Sequence, residues 1–432
     1  MADTGRADTG RVDGGKAERQ TSLHHYRAVR DGQIPPRFHQ SRIRRAEQGA
    51  GLWDAHALTQ SRWRAERAGL PQPCGGGAPV FDGRTFRGGA SFLDLKVSLA
   101  EWMLDDCDLC PHHCHVDRNQ GKTGFCGVAD QSAVHWEGIL HGEEIELMAS
   151  HEVFLSGCTM RCAFCYSHEH ITRPMSGLPM APSEIAGRVD RRHGEGASNL
   201  NLVGGEPTVH IPNILRMLRQ VSAPLPVIWN SNMYATPQAM ALLDGVVDLF
   251  LGDIHFGNDA CAQRLGLIPD YCASVQAAFE AAASSGADVI IRHLVMPGHL
   301  DCCARPAMEW AASALPETPF HLMFQYVPDF RAARDPVLGR FLSPNEIRRA
   351  GAMAQEIGVN LYDEKRAYQE QEAGRVAPVG GTAGTSEGQE VDIIIQGDGR
   401  VSFARLLPEL LPIAAALDGH DPRILARTAA LE

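Results

Sequence analysis

The chain has 432 residues, 44% of them hydrophobic and 21% charged, with a formal net charge of −12 at pH 7. At about 100 to 200 residues per domain, that length allows two or three domains, or one large α/β domain with appendages, and a core that needs no disulfides. The acidic balance argues against a nucleic-acid binder, and no apolar run is long enough to span a bilayer.

The first twenty residues contain an ADTGR/ADTG repeat and too little apolar content to order themselves. They are polar and carry acids, unlike a signal or transit peptide, which points to the cytoplasm. Residues 34 to 68, rich in Arg, Gln and Ala, read as helix. Residues 1 to 70 hold 13 basic and 8 acidic side chains, so the expectation is a solvated helical arm lying on an acidic body. CGGGAPVFDGRTFRGGA, 74 to 90, reads as a linker.

Next comes a cysteine-rich segment, 91 to 150. Cys107, Cys110, Cys114 and Cys126 stand in a C-x2-C-x3-C-x11-C arrangement. Without a secretory signal, such spacing points to metal rather than to disulfides. Four thiolates satisfy either a tetrahedral zinc or all corners of an iron-sulfur cluster, and the spacing does not choose.

From 151 to 372, apolar runs alternate with helical stretches. The strand candidates are HEVFLS (151 to 156), NLNLVG (199 to 204), PVIWN (226 to 230), VVDLFLGDI (246 to 254), DVIIRHLVM (288 to 296) and HLMFQYV (321 to 327). Continuous rather than alternating apolar runs suit parallel strands buried on both faces. The spacing predicts helices in PSEIAGRVDRR, IPNILRMLRQV, TPQAMALLDG, YCASVQAAFEAAAS and the segment after Asp301. Ser343, Pro344 and Glu346 then open a seventh helix with a capping box. Six βα units in series predict an α/β fold, a partial parallel (β/α)6 barrel with functional groups at the C-terminal strand ends. Beyond 373 a linker, a small hairpin at VDIIIQGDGRVSF and a short helix are expected.

Cys158, Cys162 and Cys165 follow the first strand as C-x3-C-x2-C. Three thiolates on one loop can hold three irons of a 4Fe-4S cube and leave the fourth open. A zinc site completed by His168 or His170 is the alternative. The second strand ends in Gly204-Gly205-Glu206-Pro207, where glycines admit close backbone approach and a carboxylate can accept from an ammonium. The third ends in Asn230-Ser231-Asn232, the fourth in Asp253-Ile254-His255, and the fifth carries Arg292-His293-Leu294-Val295-Met296-Pro297-Gly298. Cys261, Cys272, Cys302 and Cys303 read as small core residues.

These motifs, in this strand order, resemble the radical S-adenosylmethionine (radical SAM) superfamily. The CxLCPxxC…GxxGxCG block of 107 to 127, with GGEPT, NSN and RHLVMPGH, resembles its PflX-like branch, related to pyruvate formate-lyase-activating enzymes; the resemblance covers about residues 100 to 330. It implies a radical SAM barrel, a 4Fe-4S cluster on Cys158, Cys162 and Cys165, and SAM held by Gly204, Gly205, Glu206, Pro207, Asn230, Asn232, Asp253 and Arg292. It also implies reductive cleavage of SAM to a 5′-deoxyadenosyl radical that abstracts hydrogen from an unidentified substrate, and a one-electron donor such as flavodoxin or ferredoxin. Where the branch's pattern has Lys, this chain has His255; Gln325 and Tyr326 are expected at the barrel mouth by analogy. A second iron-sulfur cluster or zinc on Cys107, Cys110, Cys114 and Cys126 remains open. The rival readings are a radical enzyme acting on a small molecule or peptide, and a non-catalytic iron-sulfur or zinc protein.

Overall fold

A computed structural model describes residues 23–65, 90–141, 144–174, 177–362, 393–395 and 401–403. The ADTGR repeat, the linkers expected at 74 to 90 and after 373, Cys74 and the C-terminal helix lie outside or almost outside the described residues. The chain divides into two compact units, 1–371 and 372–432. Of the second, an antiparallel pair is described, Ile393–Ile395 with Val401–Phe403, in the segment expected as a hairpin.

The six apolar runs all form strands: β2 (Ser150–Leu155), β4 (Asn199–Gly204), β5 (Val227–Ser231), β6 (Leu249–Asp253), β7 (Asp288–Leu294) and β8 (Phe320–Met323). They pair in parallel in that order, and helices return the chain between them: α6 (Pro182–Gly194), α7 (Ile211–Leu218), α8 (Pro237–Leu243), α10 (Tyr271–Ser285) and α11 (Arg305–Ala314). The capping box expected at Ser343 is present, with Ser343 and Glu346 bonded reciprocally at the start of α12 (Pro344–Ile357). The Glu346 carboxylate also accepts from the Gly298 amide at 2.9 Å, which anchors the helix to the loop after β7. No helix among the described residues is long and apolar enough to cross a membrane.

Two antiparallel strands extend the sheet beyond β2, β1 (Ala133–Leu140) and the short β3 (Leu178–Pro179). Neither is among the expected strands: β1 falls in the cysteine-rich segment, where spacing points only to ligands, and β3 is two residues long. On β1, Glu137 accepts from Arg188 and Arg192 of α6 and from His151 of β2 at 2.9 to 3.0 Å. Burial opposes ionisation of Glu137, but these donors outweigh it and hold the carboxyl at about 2. At the other edge Glu144 meets His321 of β8 at 2.8 Å, bringing the last strand to the turn that precedes the first parallel one.

The N-terminal arm departs from expectation. Its helices are α1 (His24–Arg30), α2 (Arg37–Ile43) and α3 (Leu52–Ala65), and they are not a solvated appendage. Leu23 and Tyr26 pack in one buried cluster with Leu147, Ile228, Leu249, Leu251 and Ile290. Ile228, Leu251 and Ile290 lie two positions before Asn230, Asp253 and Arg292, so α1 closes the barrel beneath the layer that carries the candidate site. Polar contacts fix it there. The Tyr26 amide donates to Asp288 at 2.7 Å, its hydroxyl accepts from Asn199 at 2.9 Å, and His25 meets Asp248 at 2.9 Å.

Two outcomes follow from these contacts. Tyr26→Ala removes a fully buried ring and leaves Asn199 one acceptor short, so denaturant unfolding should show a loss of about 3–5 kcal/mol; a loss under about 1 kcal/mol would contradict the plug. For Glu137, a native value near 2 against 4.5 unfolded means that its contribution is complete above pH 4.5 and is lost as pH falls towards 2. The stability gap between wild type and Glu137→Gln should therefore narrow across that window, and a gap constant with pH would contradict the assignment.

Candidate active site

Leaving β2, the chain cannot continue as strand, because Gly157 turns it at φ +84°. The main-chain groups of the following loop then find partners on other loops. The Gly157 amide donates to the His170 carbonyl at 3.1 Å. The Arg161 and Ala163 amides donate to Gly266 at 2.8 Å and Leu265 at 2.7 Å, while the Ala163 carbonyl accepts from Ala332 at 2.8 Å. His112 Nε2 meets the Thr159 carbonyl at 2.7 Å. The Arg161 guanidinium turns back to donate to Cys158 and Met160 carbonyls at 2.9 and 2.8 Å.

This framework places Cys158, Cys162 and Cys165 along one cavity of about 480 Å³. Burial pushes the Cys158 and Cys162 thiols well up and Cys165 to about 11. Thiols so buried ionise only against a bound cation, which is the chemistry of a metal-ligand set. Asn232 Nδ2 lies 3.6 Å from Cys158 Sγ, and the Met160 amide donates to the same sulfur at 3.3 Å. His168 and His170 do not join the three sulfurs: His168 stacks on Phe330 and His170 on His135.

Gly204 and Gly205 line the cavity, yet the need for glycine comes from the chain itself. A Cβ on Gly205 would lie 1.9 Å from the Gly157 carbonyl oxygen, and one on Gly204 2.3 Å from the backbone of Leu155. Glu206 is fully buried behind the cavity lining; its carboxylate accepts from the Thr208 amide and hydroxyl and the Ser231 hydroxyl on Oε1 and from the Asn232 amide on Oε2, at 2.7 to 3.0 Å. These bonds clamp β4 to β5. Pro207 is buried behind Glu206, at the start of a short turn.

Asn230, Asn232, Asp253 and Arg292 all reach the cavity. Arg292 donates to both Asp253 oxygens at 2.8 and 3.2 Å and to Asn230 Oδ1 at 2.5 Å, crossing three neighbouring strands. His255 lies beside them with its ring edge towards Phe164, and burial lowers its pKa, leaving it neutral near pH 7. Gln325 lines the mouth. Tyr326 does not: it is buried, and its hydroxyl donates to the Leu338 carbonyl at 2.9 Å.

Upstream, Cys107, Cys110, Cys114 and Cys126 lie near enough for their thiols to interact electrostatically, and three of them are buried. Burial raises the Cys110 thiol, with the other three adding to the effect. Gly124 lets the segment close over Cys114, since a Cβ there would meet its sulfur at 2.5 Å, and the Phe125 amide donates to that sulfur at 3.4 Å. Arg118, 2% exposed, donates to the Ala129 and Val209 carbonyls and lies 3.8 Å from Cys107 Sγ. The segment touches the three-cysteine loop through His112, which stacks on Phe125, and through Arg161, which lies over the same ring.

A further grouping escaped the sequence reading. Cys261, Cys302 and Cys303 do pack in or against the core, but they gather there with His299. The signal present was His299-x2-Cys302-Cys303 after the fifth parallel strand; nothing local tied Cys261 to it.

A family model described as the radical SAM superfamily matches residues 153–311. The uncharacterized protein MJ0674 of Methanocaldococcus jannaschii is 36% identical over 280 residues, spanning 63% of this chain and 81% of its own. Among solved structures, SuiB of Streptococcus suis bound to precursor peptide SuiA is 10% identical with a TM-score of 0.38, over 50% of this chain and 49% of SuiB. QueE from Escherichia coli is 13% identical with a TM-score of 0.32, over 54% of this chain and 92% of QueE. The chain thus spans about half the length of SuiB, and both structures are too distant to bear on substrate.

The crossing of Gly157 over Gly205 gives a direct test. Gly205→Ala should lower stability by about 1–3 kcal/mol or more, the usual effect of forcing an atom into a filled space, and should reduce iron retained after anaerobic reconstitution. Wild-type stability and iron content in that variant would contradict the geometry.

Proposed function

Because the chain belongs to the radical SAM superfamily, we propose that it is an activating-enzyme-like oxidoreductase of the PflX-like branch. Cys158, Cys162 and Cys165 would hold a 4Fe-4S cluster, and the cavity they line would take SAM beside it. One observation carries the reading: two buried thiols and a partly buried third, all from a single loop, share a ligand-sized cavity with the paired charges of Asp253 and Arg292. Cluster and SAM, when bound, supply reductive cleavage and a 5′-deoxyadenosyl radical that abstracts hydrogen.

The chain's own residues orient and shield that chemistry. Arg292 presents a guanidinium suited to a carboxylate, and Asp253 and Asn230 present acceptors for hydroxyl or ammonium groups. Asn232 positions the loop: its side chain exchanges hydrogen bonds with Thr159 at 3.0 and 3.2 Å. Hydrogen bonds to Cys158 Sγ from Asn232 and the Met160 amide tune the potential of the site.

Tyr166 and Val327 line the mouth and are 78% and 54% exposed. Exposed apolar side chains at the rim of a cavity suit a polypeptide loop from a partner protein, which favours the activating type of reaction. The cavity volume, within the usual range for small-ligand pockets, supports the second reading, a small-molecule or peptide substrate. A one-electron donor such as flavodoxin or ferredoxin completes the system, and the dependence of the site on reduced thiolates supports a cytoplasmic location. Reconstituted protein given SAM and reductant should form 5′-deoxyadenosine, and Cys162→Ala, with circular dichroism unchanged, should form none. Equal formation by both would overturn the assignment.

A further inference from the structure

Cys261 ends a single helical turn, α9 (Asp259–Cys261), on the loop after β6; His299, Cys302 and Cys303 lie on the loop after β7. Their four ligand atoms lie within 4.8 Å of one another. His299 Nδ1 stands 3.7 Å from Cys261 Sγ, 3.2 Å from Cys302 Sγ and 3.7 Å from Cys303 Sγ. Cys302 Sγ is 3.9 Å from both other sulfurs. Zinc bonds of about 2.3 Å to sulfur and about 2.0–2.1 Å to nitrogen, arranged tetrahedrally, give edges of about 3.8 Å between sulfurs and about 3.6 Å from sulfur to nitrogen. The side chains already outline that polyhedron, which is too small for a four-iron cube.

The surroundings are built for the same purpose. Asn258 Nδ2 lies 3.3 Å from Cys261 Sγ and donates to the Cys302 carbonyl at 2.6 Å, so one amide spans both ligand-bearing loops. Such outer hydrogen bonds orient thiolate ligands. Both loops carry a widened π-type turn at the ligands, Ala262–Gly266 and Leu300–Ala304, a distortion frequent at functional sites. Gly257 lets the first loop lie against the second, since a Cβ there would fall 2.4 Å from the Cys303 carbonyl oxygen.

We propose that Cys261, His299, Cys302 and Cys303 bind one tetrahedral divalent cation, zinc, as a closed structural site joining the loops after β6 and β7. With the cation on Nδ1, His299 carries its proton on Nε2. Arg264, 3.1 Å from that nitrogen and 3.4 Å from Asp335, then turns to the carboxylate. The site stands apart from the catalytic reading, yet it bears on the three-cysteine loop. The Leu265 and Gly266 carbonyls that receive the Ala163 and Arg161 amides follow Cys261 within the same turn, so the metal stiffens the shelf on which that loop rests.

Full-length protein expressed with zinc is analysed for metal content and by zinc-edge X-ray absorption, alongside Cys302→Ser and His299→Ala. The expected result is wild-type zinc whose first shell includes nitrogen, with about one equivalent lost in each variant while iron is retained. Hydrogen exchange at the Arg161 and Ala163 amides should quicken in both variants. Should the variants not fold, the wild-type spectrum decides alone. Wild-type protein without zinc, a first shell of sulfur only, or zinc undiminished in folded variants would overturn the proposal; a sulfur-only shell would place the zinc on Cys107, Cys110, Cys114 and Cys126.

Discussion

Three thiols held apart on the loop 156–167, between a strand and a short helix, cannot be positioned by the loop itself, because its main-chain groups have no helix or sheet of their own to join. Their satisfaction by neighbouring loops is the constraint on which the site depends. Gly157, Arg161 and Ala163 give their amides to three separate carbonyls, and the Thr159 and Ala163 carbonyls receive from His112 and Ala332. The partners come from four segments, around His112, His170, Leu265–Gly266 and Ala332, so the loop holds its shape only when the barrel mouth is assembled around it.

The two ends of the barrel divide the work. Beneath, α1 fills the interior with Leu23 and Tyr26, and buried carboxylates at the strand starts hold it through Tyr26 and His25. Above, the same strands two residues further on present Asn230, Asp253 and Arg292 to the cavity. A dry lower layer keeps water from reaching the polar layer from below, and there the Arg292 pairings are stronger than they would be in water. The upstream cysteine segment lies against one side of the loop and the Cys261 and His299 grouping behind another, so two further thiol-rich sites brace the first.

Much of this was legible. Parallel strands buried on both faces leave continuous apolar runs, and all six runs became strands; the Ser343 and Glu346 box survives because capping is local. Cysteine spacing marked two of the three thiol groupings for the same reason. What escaped depended on distance along the chain. The donors to Glu206 include Ser231 and Asn232 from the end of the next strand, so the clamp between β4 and β5 could not be read from the motif itself. Cys261 meets Cys302 from 41 residues away. The plug was hidden because α1 buries only Tyr26 and Val29 among polar neighbours, too few for a helical period to show.

The central claim is that Cys158, Cys162 and Cys165 carry a cluster with one corner open to SAM. Electron paramagnetic resonance of the anaerobically reconstituted, reduced protein tests it most directly, because only a ligand that reaches the iron perturbs its signal. A reduced 4Fe-4S signal that shifts when SAM is added, with the SAM-responsive signal lost in Cys162→Ala, is the expected result. A spectrum left unchanged by saturating SAM would contradict it.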